Sequence, residues 1–290
     1  MSGIIEFGLD NSKIIKSAGC EAFKQSRQGE QSRITIIAFE THHNLVLKSK
    51  VKEKGSPLTD AEKADLIAKV NNKLSEHLKK PLDQLTEADK QDVRAPKFAF
   101  AFTHYQEGVG TIRCLGKYEN GVLVEPGLCC EKMGDTEQTV GTVILQYPID
   151  SNNENQLDMD LFRLKKHTSP FIWKLGSKKC KKLLAVLNEQ RNDGRPTIDL
   201  RIELAEGDVK FQKQNIHYVS SAAWCREDVP PELKQWVIEQ GLKNWKHVDS
   251  SLGFKMTADR LAEKLGGGSS QISDEGAKPQ LHAGYGSLLD

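Results

Sequence analysis

Lys97-Phe98-Ala99-Phe100-Ala101-Phe102-Thr103-His104-Tyr105 decides how the middle of this chain is read. Its strict alternation puts Phe98, Phe100 and Phe102 on one side of a β-strand, because successive strand residues point to opposite faces. More β-signals follow. Gly110–Lys117 reads as a strand, Glu119-Asn120-Gly121 as a turn, and Gly121–Glu125 and Val140–Tyr147 as two further strands.

Working outward, Ile198, Leu200, Ile202 and Leu204 alternate with Asp199, Arg201 and Glu203, which predicts a half-buried strand. Glu206-Gly207-Asp208 is expected to turn it into a strand at Val209–Val219. Upstream, β-branched Arg33–Phe39 predicts the first secure strand, with Asn44–Lys50 as its hairpin partner. Between these blocks Thr59-Asp60-Ala61-Glu62 reads as a capping box, and Ile67, Val70, Leu74 and Leu78 recur at helical spacing until Pro81. Thr86-Glu87-Ala88-Asp89 predicts a short second helix. Ser177 opens a helix with Cys180, Leu183, Leu184 and Leu187 as its stripe. Pro230-Pro231 opens another, carrying Leu233, Trp236 and Val237, and Thr257–Leu265 makes the last.

About six to eight short strands with helices inserted and appended predict an α+β fold: a β-rich, OB-like barrel core, a helical insert at 58–93 and C-terminal helices. The expected organisation is an N-terminal arm at 1–30, one folded domain at 31–265 and a disordered acidic tail at 266–290. The tail opens on Gly266-Gly267-Gly268-Ser269-Ser270, a flexible composition, and suits docking onto partner proteins.

Of the 290 residues 38% are hydrophobic and 28% charged, with a net charge of +1. No stretch reaches the roughly 18 apolar residues of a membrane span, and the start lacks a signal-peptide pattern. Six scattered cysteines then read as reduced thiols, and the expected location is cytoplasmic, without membrane association.

Two constellations carry chemistry. Leu161–Leu184, LFRLKKHTSPFIWKLGSKKCKKLL, holds eight Lys/Arg residues between Arg163 and Lys182 and no acidic residue, with rings interleaved. Cations that track phosphates and rings that stack on unpaired bases are how single strands are held. Arg163, Lys165, Lys166, Lys174, Lys178 and Lys179 are the expected phosphate contacts, and Phe171, Trp173 and Tyr105 the expected stacking rings. The competing reading makes Phe171 and Trp173 core anchors. The second constellation is His104, Cys114, Cys129 and Cys130, four potential zinc ligands without the usual Cys-x-x-Cys spacing. Adjacent cysteines are awkward partners for one tetrahedral ion, and cysteine in a buried strand is often only a small apolar residue. Phosphate-binding loops, nucleophile elbows and His-Glu-x-x-His are all missing from the sequence, so no enzyme is expected.

The order of features from Lys97 to Trp236 resembles that of single-stranded DNA-binding proteins of tailed phages. Val143-Ile144-Leu145-Gln146-Tyr147-Pro148-Ile149-Asp150 is similar to that family's strand ending in aspartate, and Asn152-Asn153-Glu154-Asn155 to its polar loop. Leu175-Gly176-Ser177-Lys178-Lys179 is similar to its helix start, and Ala205-Glu206-Gly207-Asp208-Val209-Lys210-Phe211 to its acidic-glycine turn and last strand. The family's zinc-knuckle spacing is absent, and the insert has no counterpart there. The resemblance implies an OB-fold core, no catalysis, single-stranded DNA as ligand, and service to replication or recombination proteins reached through the tail, in a host cytoplasm. A virion or complex assembly subunit is the alternative expectation, and a metal-dependent nuclease a third.

Overall fold

The computed structural model describes residues 21–22, 32–119, 121–147, 170–190, 195–211, 214–224 and 229–266. The strands are β1 (Glu21–Ala22), β2 (Ser32–Ile36), β3 (Phe39–Thr41), β4 (Gln91–Pro96), β5 (Ala99–Gln106), β6 (Gly110–Arg113), β7 (Lys117–Glu119), β8 (Val122–Glu125), β9 (Glu137–Tyr147), β10 (Phe171–Gly176), β11 (Leu200–Phe211) and β12 (Gln214–Trp224). The helices are α1 (His42–Lys54), α2 (Asp60–Leu78), α3 (Leu128–Met133), α4 (Ser177–Gln190), α5 (Pro231–Ser251) and α6 (Ala258–Gly266).

β9 organises the sheet. Along one edge it pairs antiparallel with β10, from Thr139 to Ile144. Its other edge is shared: Ile144–Tyr147 pair with β2, and Glu137–Gly141 with β5. The order is β1-β10-β9-β2-β11-β12, with the β5–β6 hairpin attached to β9, and among the described strand pairs of this sheet only β1–β10 is parallel. The fold is thus α+β, and among the described residues the sheet does not close into a barrel.

Alternation in the strands makes both faces apolar, so each takes a helix. On one face Val143, Leu145 and Ile172 meet Leu233, Val237, Ile238 and Val248 of α5. On the other, Val140, Ile144, Trp173 and Leu175 meet Cys180, Leu183 and Leu187 of α4, joined by Leu200, Ile202 and Leu204 of β11. α5 approaches so closely that a Cβ on Gly241 would lie 1.9 Å from the Ile37 carbonyl oxygen, which leaves room for glycine alone. No helix among the described residues is long and apolar enough to cross a membrane.

Several boundaries differ from expectation, each for a local reason. Asn44–Lys50 lies inside helix α1, not in a strand. Thr41 caps that helix by accepting the Asn44 N–H, and Gly55 ends it in the left-handed region at φ 70°. The partner of β3 is β4, so the insert spans 42–90 instead of 58–93. The capping box at Thr59 and Glu62 forms as expected and opens α2. Yet Leu74 is the one buried residue of α2, and Ile67 is 36% exposed. Thr86–Asp89 makes a turn closed by the Thr86 and Asp89 side chains, not a helix. β11 runs through Glu206-Gly207-Asp208 with a register shift between Glu206 and Lys210, so the reversal comes after Phe211. Asp199 and Arg201 are buried, so this strand is covered on both faces. Of the expected arm, only Glu21–Ala22 is described, and it adds a short strand to the sheet. The tail after Gly266 lies outside the described residues.

Candidate metal centre

Beyond the β5–β6 hairpin the chain builds a small lobe. β6 passes into Cys114, whose N–H donates to the Phe102 carbonyl, and the β7–β8 hairpin follows. The chain then returns through Gly127 into α3. A Cβ at Gly127 would sit 2.7 Å from the Leu115 carbonyl carbon and 2.8 Å from the Gly116 nitrogen, so glycine lets the two backbones touch. That contact sets the first turn of α3 against the end of β6. α6 closes the lobe with Leu261, which packs with Ile112, Cys129 and Met256.

Here His104 from β5, Cys114, and Cys129 and Cys130 from α3 converge, with their ligand atoms all within 4.8 Å of one another. Cys114 Sγ lies 3.3 Å from Cys130 Sγ and 3.7 Å from Cys129 Sγ, and Cys130 Sγ lies 3.7 Å from His104 Nε2. A tetrahedron with Zn–S bonds of about 2.3 Å needs S···S separations of about 3.8 Å, close to these values. They are far longer than the roughly 2.04 Å of a disulfide. The vicinal cysteines are not in a strand. On a helix, neighbouring residues diverge by about 100° and not 180°, which lets both sulfurs face one point.

Donors support the sulfurs. The Leu115 N–H donates to Cys129 Sγ at 3.0 Å, and the Gly116 N–H and the Tyr118 hydroxyl each donate to Cys114 Sγ at 3.3 Å. Burial pushes the Cys114 thiol up, but the Tyr118 hydroxyl, the Gly116 amide and the neighbouring thiols outweigh it, and the net shift is downward. Burial and the bond with Cys114 push the Cys130 thiol up to about 11. Tyr118 is pushed up to about 12, first by burial and then by the same sulfur. Burial lowers the basicity of His104 more than the backbone of Gly134 and Asp135 raises it, which favours the neutral ring a metal needs. Tyr118 also stacks flat on Phe102, with centroids 3.7 Å apart. Sequence reading missed this hydroxyl, although its place four residues after Cys114 was there to be seen.

The expected nucleic-acid residues are not gathered in the same way. Arg163, Lys165 and Lys166 lie outside the described residues. Lys178 and Lys179 fall in the first turn of α4. Trp173 is 6% exposed and packed under α4, so its ring has no face to offer a base, and the core reading is the right one for it. Phe171 is half-buried beside it. Lys174 points to the opposite face, the one α5 covers, and burial pulls its ammonium down to about 8. Tyr105 is 44% exposed, and Phe100, not expected as a contact, is 54% exposed on the same strand. Comparison with protein families, characterised proteins and solved structures gave no match.

Proposed function

We propose that this chain is a non-catalytic, sequence-tolerant single-stranded DNA-binding protein in which His104, Cys114, Cys129 and Cys130 hold a structural zinc ion. The observation that carries the binding reading is the one-signed charge of Arg163–Lys182, eight cations and no acid in a chain of net charge +1. Arg163, Lys165, Lys166, Lys178 and Lys179 contact phosphate in this reading. Tyr105, Phe171 and, in place of Trp173, Phe100 offer rings to bases. The zinc reading rests on four soft donors from three elements, a full protein set that leaves no ligand position for substrate and so suits a structural ion. An OB-like core belongs to the same reading, with β9 serving β2 and β5 along one edge as its central strand.

Fluorescence anisotropy with labelled oligo-dT tests the binding. Affinity should fall steeply with salt, and a Lys165→Ala/Lys166→Ala variant should bind more weakly, with a salt slope shallower by about 1.4 at roughly 0.7 per lost single-strand contact. No binding at low salt would end the proposal. Metal analysis of the purified chain should find one zinc per chain.

One observation favours assembly as a second reading. Val122, Leu123 and Val124 of β8 are 65%, 37% and 48% exposed, a run of apolar surface that suits a protein partner. A salt-resistant homo-oligomer indifferent to oligonucleotide would support it.

A further inference from the structure

The three sulfurs of the lobe are unequal. Cys129 is fully buried, whereas Cys114 and Cys130 are only partly buried. Cys114 also lies nearer to Cys130, at 3.3 Å, than to Cys129, at 3.7 Å. The vicinal pair is poorly placed to bridge. Consecutive Cα atoms are about 3.8 Å apart, short of the roughly 4.4 Å at which ordinary disulfides begin.

We propose that Cys114 and Cys130 form a peroxide-oxidisable pair, whose disulfide replaces the metal as the clamp on the β7–β8 hairpin. Cys114 Sγ attacks one oxygen of hydrogen peroxide, breaking the O–O bond. This gives the Cys114 sulfenic acid and, after protonation, one water. Cys130 Sγ then attacks the Cys114 sulfur and expels the hydroxyl, which takes the Cys130 proton and leaves as a second water. Two thiols are oxidised by two electrons, and one peroxide is reduced to two waters. The sulfurs need to close by about 1.3 Å to reach disulfide length, a distance within reach of side-chain rotation. His104 and Cys129 remain as two donors, too few for a tetrahedral site, so a bound zinc ion leaves. The chain from Cys114 to Cys130, with the whole hairpin inside it, stays closed.

The metal half of this inference rests on the zinc reading above, and the cross-link half does not. The full chain is analysed for zinc, treated with hydrogen peroxide, and followed by a metal-indicator dye, intact mass and peptide mapping. The expected result is zinc release in step with the loss of two hydrogens, a Cys114–Cys130 linked peptide, and reversal by dithiothreitol. A Cys130→Ser variant should lack the link, and a Cys180→Ser variant should keep it. A link through Cys129, or Cys114 carried irreversibly to the sulfinic acid with Cys130 still free, would overturn the pairing. Should the purified chain carry no zinc, the metal reading fails while the map of the wild-type chain still decides the pairing.

Discussion

The sheet body and the metal lobe hold themselves together by different means. Among the described residues the body has two clusters of thirteen and twelve buried residues, one on each face of the sheet. The lobe has four: Ile112, Cys129, Met256 and Leu261. Its strands are three and four residues long, and β8 is exposed throughout. A unit this small buries too little apolar surface to offset the entropy of ordering it, and such units are held by staples. The lobe is tied to the body by Arg113, which donates to the Asp249 carboxylate at 2.8 Å and to the Asp249 carbonyl. Phe254 adds backbone hydrogen bonds to Thr111 and Arg113. These ties position the lobe, but the soft donors at its centre are what can lock it.

Metal removal is therefore the largest expected effect, and a local one. Structural zinc is worth up to about 10–16 kcal/mol in small zinc-folded peptides, an upper bound for a lobe attached to a folded body. A strong zinc chelator, or Cys129→Ala, should abolish amide-exchange protection across residues 110–133 and 256–266 while β2, β9 and α5 keep theirs. Uniform loss would mean the lobe is integral to the body, and no loss would mean the lobe stands unaided. Loading should also weaken as pH falls. Cys130, held up to about 11 when free, must give up its proton to bind, and protons compete for every thiolate.

The mirror-image perturbation strikes the body. At Gly241 a methyl group would meet backbone, 1.9 Å from the Ile37 oxygen. At Gly141 it would meet only the ends of Leu252 and Val248, at 2.8 and 2.9 Å. Gly241→Ala should cost about 3 kcal/mol or more in denaturant unfolding, and Gly141→Ala nearer 1, because side-chain ends can shift and the Ile37 backbone, tied by its N–H to the Val143 carbonyl, cannot. Zinc stoichiometry should stay unchanged in the folded fraction of both. Equal costs would show that α5 can slide.

Lys174 separates the body from its expected binding role. Its folded-state pKa, about 8, lies below the usual lysine value of 10.5. Between those values the unfolded chain binds more protons than the folded one, so stability gains as pH rises through that window. Lys174→Met should lose that pH-dependent gain, read from denaturant unfolding between pH 7 and pH 10. Its oligo-dT affinity should match the wild type. A clear loss of affinity would return Lys174 to the phosphate-binding set.

Local rules made much of this molecule legible in the sequence. The stripe Cys180–Leu187, the Pro230-Pro231 helix start and the Thr59 capping box all form where expected, because each is decided within a few residues, whereas the strand expected from Ile198 begins at Leu200, after a turn at Thr197–Asp199. Two misreadings came from non-local facts. Asn44–Lys50 looks like a strand by composition, but Thr41 and Gly55, outside that window, cap it as a helix. Trp173 sits in a basic run, but which face of β10 it takes depends on its pairing with Thr142 and on α4 above it. The metal ligands were legible as residue types. Their convergence was not, because it depends on Gly127 passing against Leu115.

The smallest expected effect concerns α2, which follows neither the body's rule nor the lobe's. Leu74 is its one buried residue, so its order rests on local terms: the Thr59–Glu62 capping box and ion pairs such as Lys63–Asp60 and Lys69–Asp65. Exposed pairs of this kind contribute little, which leaves the cap as the main local support. Glu62, held down to about 2 by Lys54 and the Thr59 backbone, keeps its charge and its part in the cap until strongly acidic pH. Thr59→Ala should cost about 1 kcal/mol, and should do so within α2 alone. Amide exchange should quicken across 60–66 without moving the global unfolding midpoint, because fraying of an exposed helix is not coupled to a core it barely touches. A shift of the midpoint would show that the insert is a third part of the body, held through Leu58, Leu74 and Ala88 more firmly than their burial implies.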